Sequence, residues 1–316
     1  MKQRALGKSG LTMSVVGLGG NNTGGRIDFE ASRAVIHRAL DLGITVYDTA
    51  DVYPMGNFGA SEEFLGRILG DRRKDVIIAT KCGHPRDDKS DPPGASRRHI
   101  ISAVEASLQR LKTDWIDLYQ IHQPDPRTPI EETLRALDDL VTQGKVRYTG
   151  CSNFPSWQVV DALWTSRHLG LHAFASCQDE YSLLARSIEG ELIPALQANG
   201  LGLMPYFPLA SGLLTGKYKR NAPLPEGARL TRSPGLSKRF LTDSNLQRVE
   251  QFEKFSAARG HTMLELAFSW LLGRPTVTSI IAGASTPEQL EQNVKAVGWI
   301  ISPEDMVEVD RIAALT

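Results

Sequence analysis

Residues 46–53 have the sequence Val46-Tyr47-Asp48-Thr49-Ala50-Asp51-Val52-Tyr53, and a helix-like stretch over residues 61–69 follows them. Valine, tyrosine and threonine are typical strand residues, whereas an aspartate after a strand commonly forms a turn. The segment therefore predicts a short buried strand over residues 45–50 that ends in polar groups and leads into a helix. Strand, polar loop and helix form the unit from which we predict the rest of the fold.

Seven further strand-like stretches follow the same pattern along the chain. The predicted strands and the helices after them cover residues 15–19 with 31–42, 45–50 with 61–69, 76–82 with 98–111, 116–122 with 129–143, 146–152 with 156–168, 174–179 with 190–198, 203–206, and 277–281 with 287–296. Apolar residues at helical spacing, such as Ile101, Val104 and Leu108, give each helix one buried face. Eight alternations predict an α/β fold, a parallel (β/α)8 TIM barrel, with a doubly wound sheet as the alternative.

Four other segments complete the predicted architecture of a single domain over residues 1–316. Residues 4–12 place Gly and Ser between two short apolar pieces, which predicts an N-terminal β-hairpin that covers the bottom of the barrel. Residues 302–315 predict an extra C-terminal helix. The polar segments 84–96 and 217–238 follow strands three and seven, so we interpret them as walls or lids of a site, with solvated insertions as the alternative. Thr128 and Glu131 predict a capping box with Pro129 as the first helical residue.

The composition narrows the class of function. Lys plus Arg and Asp plus Glu each number 36 in 316 residues, so no basic field is available for nucleic acid or anionic lipid, and a small-molecule partner is expected. The three cysteines form no CxxC pair, which predicts a reduced, cytoplasmic protein. No apolar run reaches about eighteen residues, so no membrane contact is expected. The sequence shows no coiled-coil heptads, and the oligomeric state stays open.

Polar residues meet at the carboxyl ends of three consecutive predicted strands. Asp48 and Tyr53 follow strand two, whereas Lys81 ends strand three and His122 ends strand four. Because neighbouring strands are about 4.8 Å apart, side chains that point into the barrel mouth from these strands can reach one another. A buried lysine is costly unless it is paired, and Asp48 is the expected counter-ion. A structural salt bridge and a core histidine are the alternative interpretations.

Together these residue types allow proton donation to a carbonyl group. A tyrosine with a pKa of about 10 is a poor acid at neutral pH, but a nearby ammonium favours the phenolate and would lower that pKa. We therefore expect Tyr53 to be the acid and Lys81 to lower its pKa, with Asp48 keeping the lysine charged. His122 can donate a hydrogen bond to the carbonyl oxygen and orient it.

Three other kinds of site match the sequence less well. The run Gly17-Leu18-Gly19-Gly20-Asn21-Asn22 lacks the last glycine of a dinucleotide fingerprint. The run Gly150-Cys151-Ser152-Asn153-Phe154 lacks the closing glycine of a nucleophile elbow. His168 and His172 are four residues apart but belong to no HExxH motif, so no metal site is expected.

These motifs resemble the aldo-keto reductase superfamily over essentially the whole chain. Asp48-Thr49-Ala50 with Tyr53, Ala79-Thr80-Lys81 and Gln120-Ile121-His122 match its Asp-Tyr-Lys-His tetrad in order and in strand placement. Further matches follow the later strands: Gly150-Cys151-Ser152-Asn153, Gln178, the run from Tyr206 to Lys217, Gly283-Ala284-Ser285, Gln289 and Asn293. The chain is more similar to the bacterial reductases and the potassium-channel β subunits than to the vertebrate aldose reductases.

The resemblance implies hydride transfer from C4 of a nicotinamide to an aldehyde or ketone, with Tyr53 as proton donor. It also implies a role for each matching residue. Ser152, Asn153 and Gln178 would bind the carboxamide, Tyr206 would stack on the nicotinamide, Pro208, Leu209, Ala210, Gly212 and Lys217 would surround the pyrophosphate, and Gly283, Ser285, Gln289 and Asn293 would bind the adenosine end. Tyr206 could instead be ordinary packing, and Gln289 could instead close a capping box with Thr286.

The cofactor's phosphate specificity is the point at which this chain departs from many members. They carry Lys-Ser and Arg where this chain has Gly283-Ala284 and Gln289, and those basic groups hold the 2′-phosphate of NADP. Lys217 or Arg232 in the segment after strand seven could supply the missing charge, because a guanidinium binds phosphate in a bidentate manner. We therefore expect NADP(H), with NAD(H) as the alternative.

The resemblance leaves several functions open. The leading hypothesis is a reductase acting on a small aldehyde, ketone or sugar. A sugar or polyol dehydrogenase that works in the oxidative direction uses the same tetrad, and a cofactor-sensing binding subunit or an inactive scaffold belongs to another class. The natural substrate and the physiological direction do not follow from the residues.

Overall fold

Eight parallel strands form the centre of the protein. The computed structural model describes residues 1–84 and 94–315. An N-terminal hairpin of β1 (Gln3–Ala5) and β2 (Thr12–Ser14) precedes the barrel strands. These are β3 (Val16–Gly19), β4 (Val46–Asp48), β5 (Ile77–Cys82), β6 (Ile116–Ile121), β7 (Val146–Ser152), β8 (Phe174–Glu180), β9 (Gly202–Tyr206) and β10 (Ile280–Gly283). Each strand pairs in parallel with its neighbour in the order β10-β3-β4-β5-β6-β7-β8-β9.

The sheet closes between β9 and the segment before β10. Leu203 N donates to Thr276 O and Thr278 N donates to Leu203 O, both at 2.8 Å, around a parallel bridge between Leu203 and Val277. Pairing on both sides of every strand leaves no free sheet edge, so the predicted (β/α)8 barrel is confirmed and the doubly wound sheet is not.

Helices surround the barrel in the predicted alternation. They are α1 (Phe29–Asp41), α2 (Ala60–Leu69), α3 (Arg97–Leu111), α4 (Ile130–Thr142), α5 (Ser156–Leu169), α6 (Leu192–Asn199), α7 (Arg229–Arg232), α8 (Pro234–Phe240), α9 (Asp243–Ala257), α10 (Met263–Leu272), α11 (Pro287–Lys295) and α12 (Pro303–Ala313). Among the described residues, no helix is both long enough and apolar enough to span a bilayer.

The hairpin covers one end of the barrel, as predicted. Leu6 and Met13 are fully buried and pack against inward-facing residues of the barrel, including Leu118 and Met204. The turn passes so close to the loop after α6 that a Cβ on Gly7 would lie 2.3 Å from Gly200 O, and Gly7 has φ of +56°. Only glycine fits this position without displacing the backbone.

The structure corrects three details of the sequence prediction. Helix α4 begins at Ile130 without a side-chain cap, and Thr128 Oγ1 donates to Asp125 Oδ2 at 2.8 Å, so the capping box is wrong. The polar segment 217–238 contains α7 and most of α8, and α9 and α10 after it were not predicted. Helix α10 is apolar on nearly every side, with Leu266, Phe268 and Trp270 buried, and therefore lacks the one-sided period that marks a surface helix. Residues 85–93 of the other polar segment lie outside the described residues.

The C-terminal helix is where the sequence predicts it and packs against α9 in the outer layer. Val309 and Ile312 supply its buried face. The helix therefore adds to the outer layer without contributing a strand to the barrel.

Substitution of Gly66 by alanine tests the packing of the outer ring. A Cβ at Gly66 of α2 would lie 2.5 Å from the carbonyl carbon of Leu111 and 2.6 Å from the oxygen of Arg110, both backbone atoms at the end of α3. We expect Gly66→Ala to lower the free energy of unfolding by about 2 kcal/mol, because the two helices must separate. Urea unfolding followed by circular dichroism measures this change.

Gly190→Ala is the matched control for this substitution. Gly190 is exposed, has a right-handed helical backbone, and has no atom within 4 Å of the Cβ position. Equal stability of the two variants would contradict the proposed close contact of α2 and α3.

Candidate active site

A fully buried ion pair lies where β4 and β5 end. Lys81 Nζ donates to both carboxylate oxygens of Asp48 and to Thr49 O, each at 2.8 Å, so its three donors are all used. The side chains of Lys81 and Asp48 are only 0% and 4% exposed. Burial lowers the pKa of Lys81, whereas the Asp48 carboxylate raises it. The predicted counter-ion is therefore present.

Asp48 is held from a second direction by strand β8. Gln178 Nε2 donates to Asp48 Oδ1 at 2.8 Å across the barrel. The carboxylate therefore connects three strands, β4, β5 and β8, and its position does not depend on the lysine alone. The amide nitrogen of Gln178 donates this hydrogen bond, and its side-chain carbonyl oxygen is a separate acceptor.

Tyr53 lies above this ion pair at the floor of a cleft. The Lys81 ammonium is 5.1 Å from the centre of the Tyr53 ring, a distance typical of a cation–π contact. Burial, followed by the Asp48 charge, raises the pKa of the Tyr53 hydroxyl well above its usual value, and Arg229 acts in the opposite direction. The expectation that this pKa is lowered is wrong, because burial of the hydroxyl and the neighbouring Asp48 charge both raise it.

His122 completes the group and is uncharged. Its ring centre is 5.6 Å from that of Tyr53 and 4.7 Å from that of His84, both in edge-to-face arrangements. Burial, then the charge of Lys81, then His84 hold the pKa of His122 well below its ordinary value. Its Nδ1 is buried without a hydrogen-bond partner in the described structure. A neutral imidazole carries one N–H donor, which is the group needed beside a carbonyl oxygen.

Asp48, Tyr53 and His122 line the floor of a cleft with a volume of about 690 Å³, and Lys81 is buried beneath them without lining it. The cleft is lined by residues that follow most of the barrel strands, at the carboxyl ends where (β/α)8 enzymes have their active sites. Of the predicted cofactor residues, those that line it are Ser152, Asn153, Gln178, Tyr206, Pro208, Leu209, Gly212, Lys217, Gly283, Ser285, Gln289 and Asn293. Ala210 and Arg232 do not line it, whereas Ser211 does.

A connected polar cluster lies beside His122 at the ends of β7 and β9. Asn153 has φ of +60°, and its Nδ2 donates to His122 O and to Ser152 Oγ, both at 3.0 Å. Tyr206 donates its hydroxyl hydrogen to Asn153 Oδ1 at 2.7 Å, which fixes the phenol ring at the cleft wall. The contacts of Asn153 thus position the loop after β7, and the Ser152 hydroxyl keeps a hydrogen to donate.

The loop after β9 has an unusual backbone. Within residues 207–212, three residues other than glycine have positive φ: Phe207 at +50°, Ala210 at +46° and Ser211 at +58°. Such conformations cost free energy and occur preferentially at ligand-binding loops. Ala210 is fully buried, so it shapes the loop that Leu209 and Ser211 present to the cleft.

Three cations at the cleft have no acidic partner among the residues that the structure describes. Arg26, Lys217 and Arg229 line it, and Arg26 N–H donates to Gly227 O at 2.9 Å. Burial first, and then the charge of Arg26, lower the pKa of both Lys217 and Arg229. Unpaired cations that repel one another are the features of an anion-binding site.

Sequence reasoning missed Arg26 and Arg229. Arg26 follows Gly24 and Gly25 in the loop after β3, which carries no recognisable phosphate motif. The sequence suggested Arg232 as the phosphate-binding cation, three residues after Arg229 in α7. Of these two arginines, only Arg229 lines the cleft.

The residues predicted to bind the adenosine end lie around the start of α11. Thr286 Oγ1 accepts a hydrogen bond from Gln289 N, and Gln289 Oε1 accepts from Ser285 N at 2.9 Å and from Ser285 Oγ at 3.2 Å. The Gln289 side chain thus accepts hydrogen bonds from Ser285, the residue before the N-cap Thr286. It does not accept one from the Thr286 backbone, so Thr286 and Gln289 do not form a capping box. Asn22 Nδ2 donates to Ala284 O at 3.3 Å and ties the loop after β3 to the same corner.

Comparisons with known proteins agree with this arrangement. Residues 15–314 match the family model described as "Aldo/keto reductase family". A protein of Oryza sativa subsp. japonica named "Probable voltage-gated potassium channel subunit beta" is 36% identical, with 100% of this chain and 96% of the relative covered. The "L-glyceraldehyde 3-phosphate reductase" of Escherichia coli (strain K12) is 34% identical, with 98% and 92% covered. "Uncharacterized oxidoreductase YrpG" of Bacillus subtilis (strain 168) is 37% identical, with 94% and 91% covered.

The family match extends over nearly the whole chain, and each of these relatives is aligned over more than nine-tenths of its own length. The resemblance inferred from the tetrad and the strand-end motifs is thereby confirmed. The chain belongs to the aldo/keto reductase family.

Proposed function

We propose that this protein is an oxidoreductase that reduces an aldehyde or ketone to an alcohol with NAD(P)H, with Tyr53 as proton donor. The observation that carries the proposal is the convergence of Tyr53, Asp48 and neutral His122 on the floor of one cleft, with Lys81 paired to Asp48 beneath it. A bound nicotinamide would supply the hydride. The chain itself binds and orients the carbonyl group and provides the proton.

The high pKa of Tyr53 is compatible with this role. A hydroxyl whose pKa is raised by burial stays protonated at neutral pH, and is therefore a proton store when the substrate enters. It releases the proton only to an oxygen that becomes strongly basic, as a carbonyl oxygen does when hydride reaches its carbon. The N–H of His122 then supports the same oxygen, because the neutral ring carries one donor.

We propose that the cofactor lies along the cleft from Tyr206 to α11. Ser152 and Gln178 would bind the carboxamide with a hydroxyl and an amide carbonyl, and Tyr206 would present its ring to the nicotinamide. Asn153 would position both Tyr206 and Ser152. The loop from Pro208 to Gly212 would surround the pyrophosphate, and Gly283, Ser285, Gln289 and Asn293 would contact the adenosine.

The phosphates are the groups for which the unpaired cations are suited. We propose that Arg26, Lys217 and Arg229 neutralise the pyrophosphate and the 2′-phosphate, and that NADP(H) is preferred over NAD(H). Arg229 takes the role that the sequence suggested for Arg232, because Arg229 lines the cleft. A guanidinium provides two parallel donors to a phosphate.

The relatives' names support both a catalytic and a binding function. Two carry the names of a reductase and an oxidoreductase, and one is named as a channel subunit. A cofactor-sensing subunit is therefore the second candidate, and steady turnover of a carbonyl panel by the wild-type protein separates it from the first. An alcohol or polyol panel with NADP+ tests the oxidative direction.

Substitution of Tyr53 by phenylalanine tests the proton donor. We expect Tyr53→Phe to lower kcat for NADPH oxidation with glyceraldehyde, methylglyoxal and 4-nitrobenzaldehyde by about 10²–10⁴-fold, because the general acid is lost. Binding of NADPH, measured by quenching of protein fluorescence, should stay within about threefold of wild type. Tyr148→Phe is the matched control, since Tyr148 does not line the cleft. Full turnover by the Tyr53 variant would exclude the proposed donor.

Substitution of Arg229 by glutamine tests the cation cluster. We expect wild type to bind NADPH more tightly than NADH, and Arg229→Gln to weaken NADPH binding by about tenfold or more, because one charged hydrogen-bond donor to phosphate is lost. Arg232→Gln is the matched control and should leave the Kd unchanged. Tighter binding of NADH than of NADPH by wild type would contradict the preference for NADP(H). Equal effects of the two substitutions on NADPH binding would contradict the role proposed for Arg229.

The pKa of His122 predicts a pH dependence of stability. The folded-state pKa is far below the value of about 6.5 in the unfolded chain, so the unfolded chain binds more protons as the pH falls below about 6.5. His122 therefore makes the free energy of unfolding decrease on acidification, by at most about 1.4 kcal/mol per pH unit. His122→Asn should flatten this slope between pH 5 and 6.5 in urea unfolding.

The control for the pH experiment is His37→Asn on the exposed face of α1. It removes one imidazole without touching the site, so a change in slope that both variants share does not come from the site. An unchanged slope in the His122 variant would show that this histidine titrates alike in the folded and unfolded chains.

A further inference from the structure

Helix α5 exposes two tryptophans to solvent. Trp157 and Trp164 are 65% and 62% exposed, seven residues apart and therefore on the same face of the helix. The other three tryptophans all pack against protein: Trp270 is fully buried, Trp115 lies between two arginine side chains, and Trp299 stacks on His261. Two exposed indoles on one helix are unusual for a surface without a partner.

The exposed face continues around these tryptophans as a ridge. We define the α5 ridge as Trp157, Val160, Asp161, Trp164, Arg167 and His168, which recur at spacings of three and four along a helix about 21 Å long. All are exposed except Val160, which is half-buried. The opposite face, with Val159, Ala162 and Leu163, is buried against the protein. The α5 ridge therefore points away from the barrel, and none of its residues lines the cleft.

The residues of the α5 ridge are arranged symmetrically about Trp164. Asp161 lies three positions before it and Arg167 three positions after it, and Val160 and His168 lie four positions before and after. When two copies of one helix pack antiparallel about a two-fold axis, residues at equal distances on either side of the axis face each other. An axis through Trp164 thus brings two indoles together and places Asp161 of each copy opposite Arg167 of the other.

The charges on the α5 ridge suit such pairing. Asp161 has no ion pair in the described part of the protein. Arg167 makes one long contact, Nη2 to Asn199 Oδ1 at 3.4 Å, and its guanidinium carbon is 5.6 Å from the Trp164 ring centre. Both charges are therefore available, and two Asp–Arg pairs would lie on either side of the central indoles. Tryptophan and arginine are the residues that most often carry the binding energy of interfaces.

We propose that the α5 ridge is the centre of a two-fold interface with a second copy of this chain. Such an interface is self-complementary, because one surface supplies both sides of every contact. A stable dimer buries about 800 Å² on each partner, more than one helix offers, so the interface extends onto α4 and α6, which flank α5 in the outer ring. The dimer forms independently of the reaction proposed above, since the α5 ridge and the cleft share no residue.

Analytical ultracentrifugation of the full chain tests the dimer. Wild type should sediment as a dimer at micromolar concentration, and Trp164→Gln should weaken the dimer by about thirtyfold or more, the effect of losing a central aromatic contact. Ile300→Gln is the matched control, because Ile300 is 93% exposed and lies outside the α5 ridge. A monomer at all concentrations up to about 100 μM would overturn the proposal. An oligomer that Trp164→Gln leaves unchanged would overturn it as well.

Charge reversal tests the antiparallel arrangement itself. Asp161→Arg places two cations opposite each other and Arg167→Asp places two anions opposite each other, so each single variant should weaken the dimer at least tenfold. The double variant, Asp161→Arg with Arg167→Asp, restores opposite charges and should recover the wild-type association. Failure of the double variant to recover while it remains folded by circular dichroism would overturn the arrangement.

Discussion

The buried ion pair between Asp48 and Lys81 is the interaction on which the site depends. Two charges without water are costly to bury, and the structure offsets this cost with four hydrogen bonds: three from the ammonium and one from Gln178 to the carboxylate. Removing either partner leaves an uncompensated charge inside the barrel. The charge of Lys81 adds to burial in holding the pKa of His122 well below its ordinary value, and the ammonium lies 5.1 Å from the centre of the Tyr53 ring. The ion pair therefore ties together the ends of β4, β5 and β8, beneath Tyr53.

The sequence predicted those parts of the molecule that follow from local pattern. All eight barrel strands were found because short apolar runs alternate with polar loops, and Asp48, Lys81 and His122 were placed together because parallel strands align their ends. Prediction failed where particular side-chain contacts and burial, rather than the periodic pattern of the sequence, decide the outcome. Thr128 stands at the position of a helix N-cap in the sequence, yet its hydroxyl donates a hydrogen bond to Asp125. Helix α10 has no one-sided period because it is buried on most sides. The pKa of Tyr53 is raised first by burial of the hydroxyl and then by the Asp48 charge, and the extent of that burial follows only from the three-dimensional arrangement.

The site is built partly from residues on the barrel strands and partly from residues in the loops that follow them. The ion pair lies on strands whose positions are fixed by pairing on both sides, and His122 directly follows one of them. The cations proposed to bind phosphate lie in the loops after β3 and β9 and at the start of α7, where Arg26 and Arg229 could not be recognised from their spacing in the sequence. Loops of this kind can change without disturbing the barrel, so one fold can carry different ligand-binding groups.

The unpaired cations also affect how a ligand reaches the cleft. The chain has no net charge, with 36 basic and 36 acidic residues, yet Arg26, Lys217 and Arg229 concentrate positive potential at one opening. A neutral protein with a locally positive mouth attracts anions over a distance set by the Debye length, about 8 Å at physiological ionic strength, and exerts no comparable attraction on uncharged aldehydes. The encounter rate of a phosphorylated ligand should therefore fall with added salt, whereas that of a neutral substrate should not. Electrostatic steering at this opening thus favours the encounter with an anionic ligand over the encounter with an uncharged one.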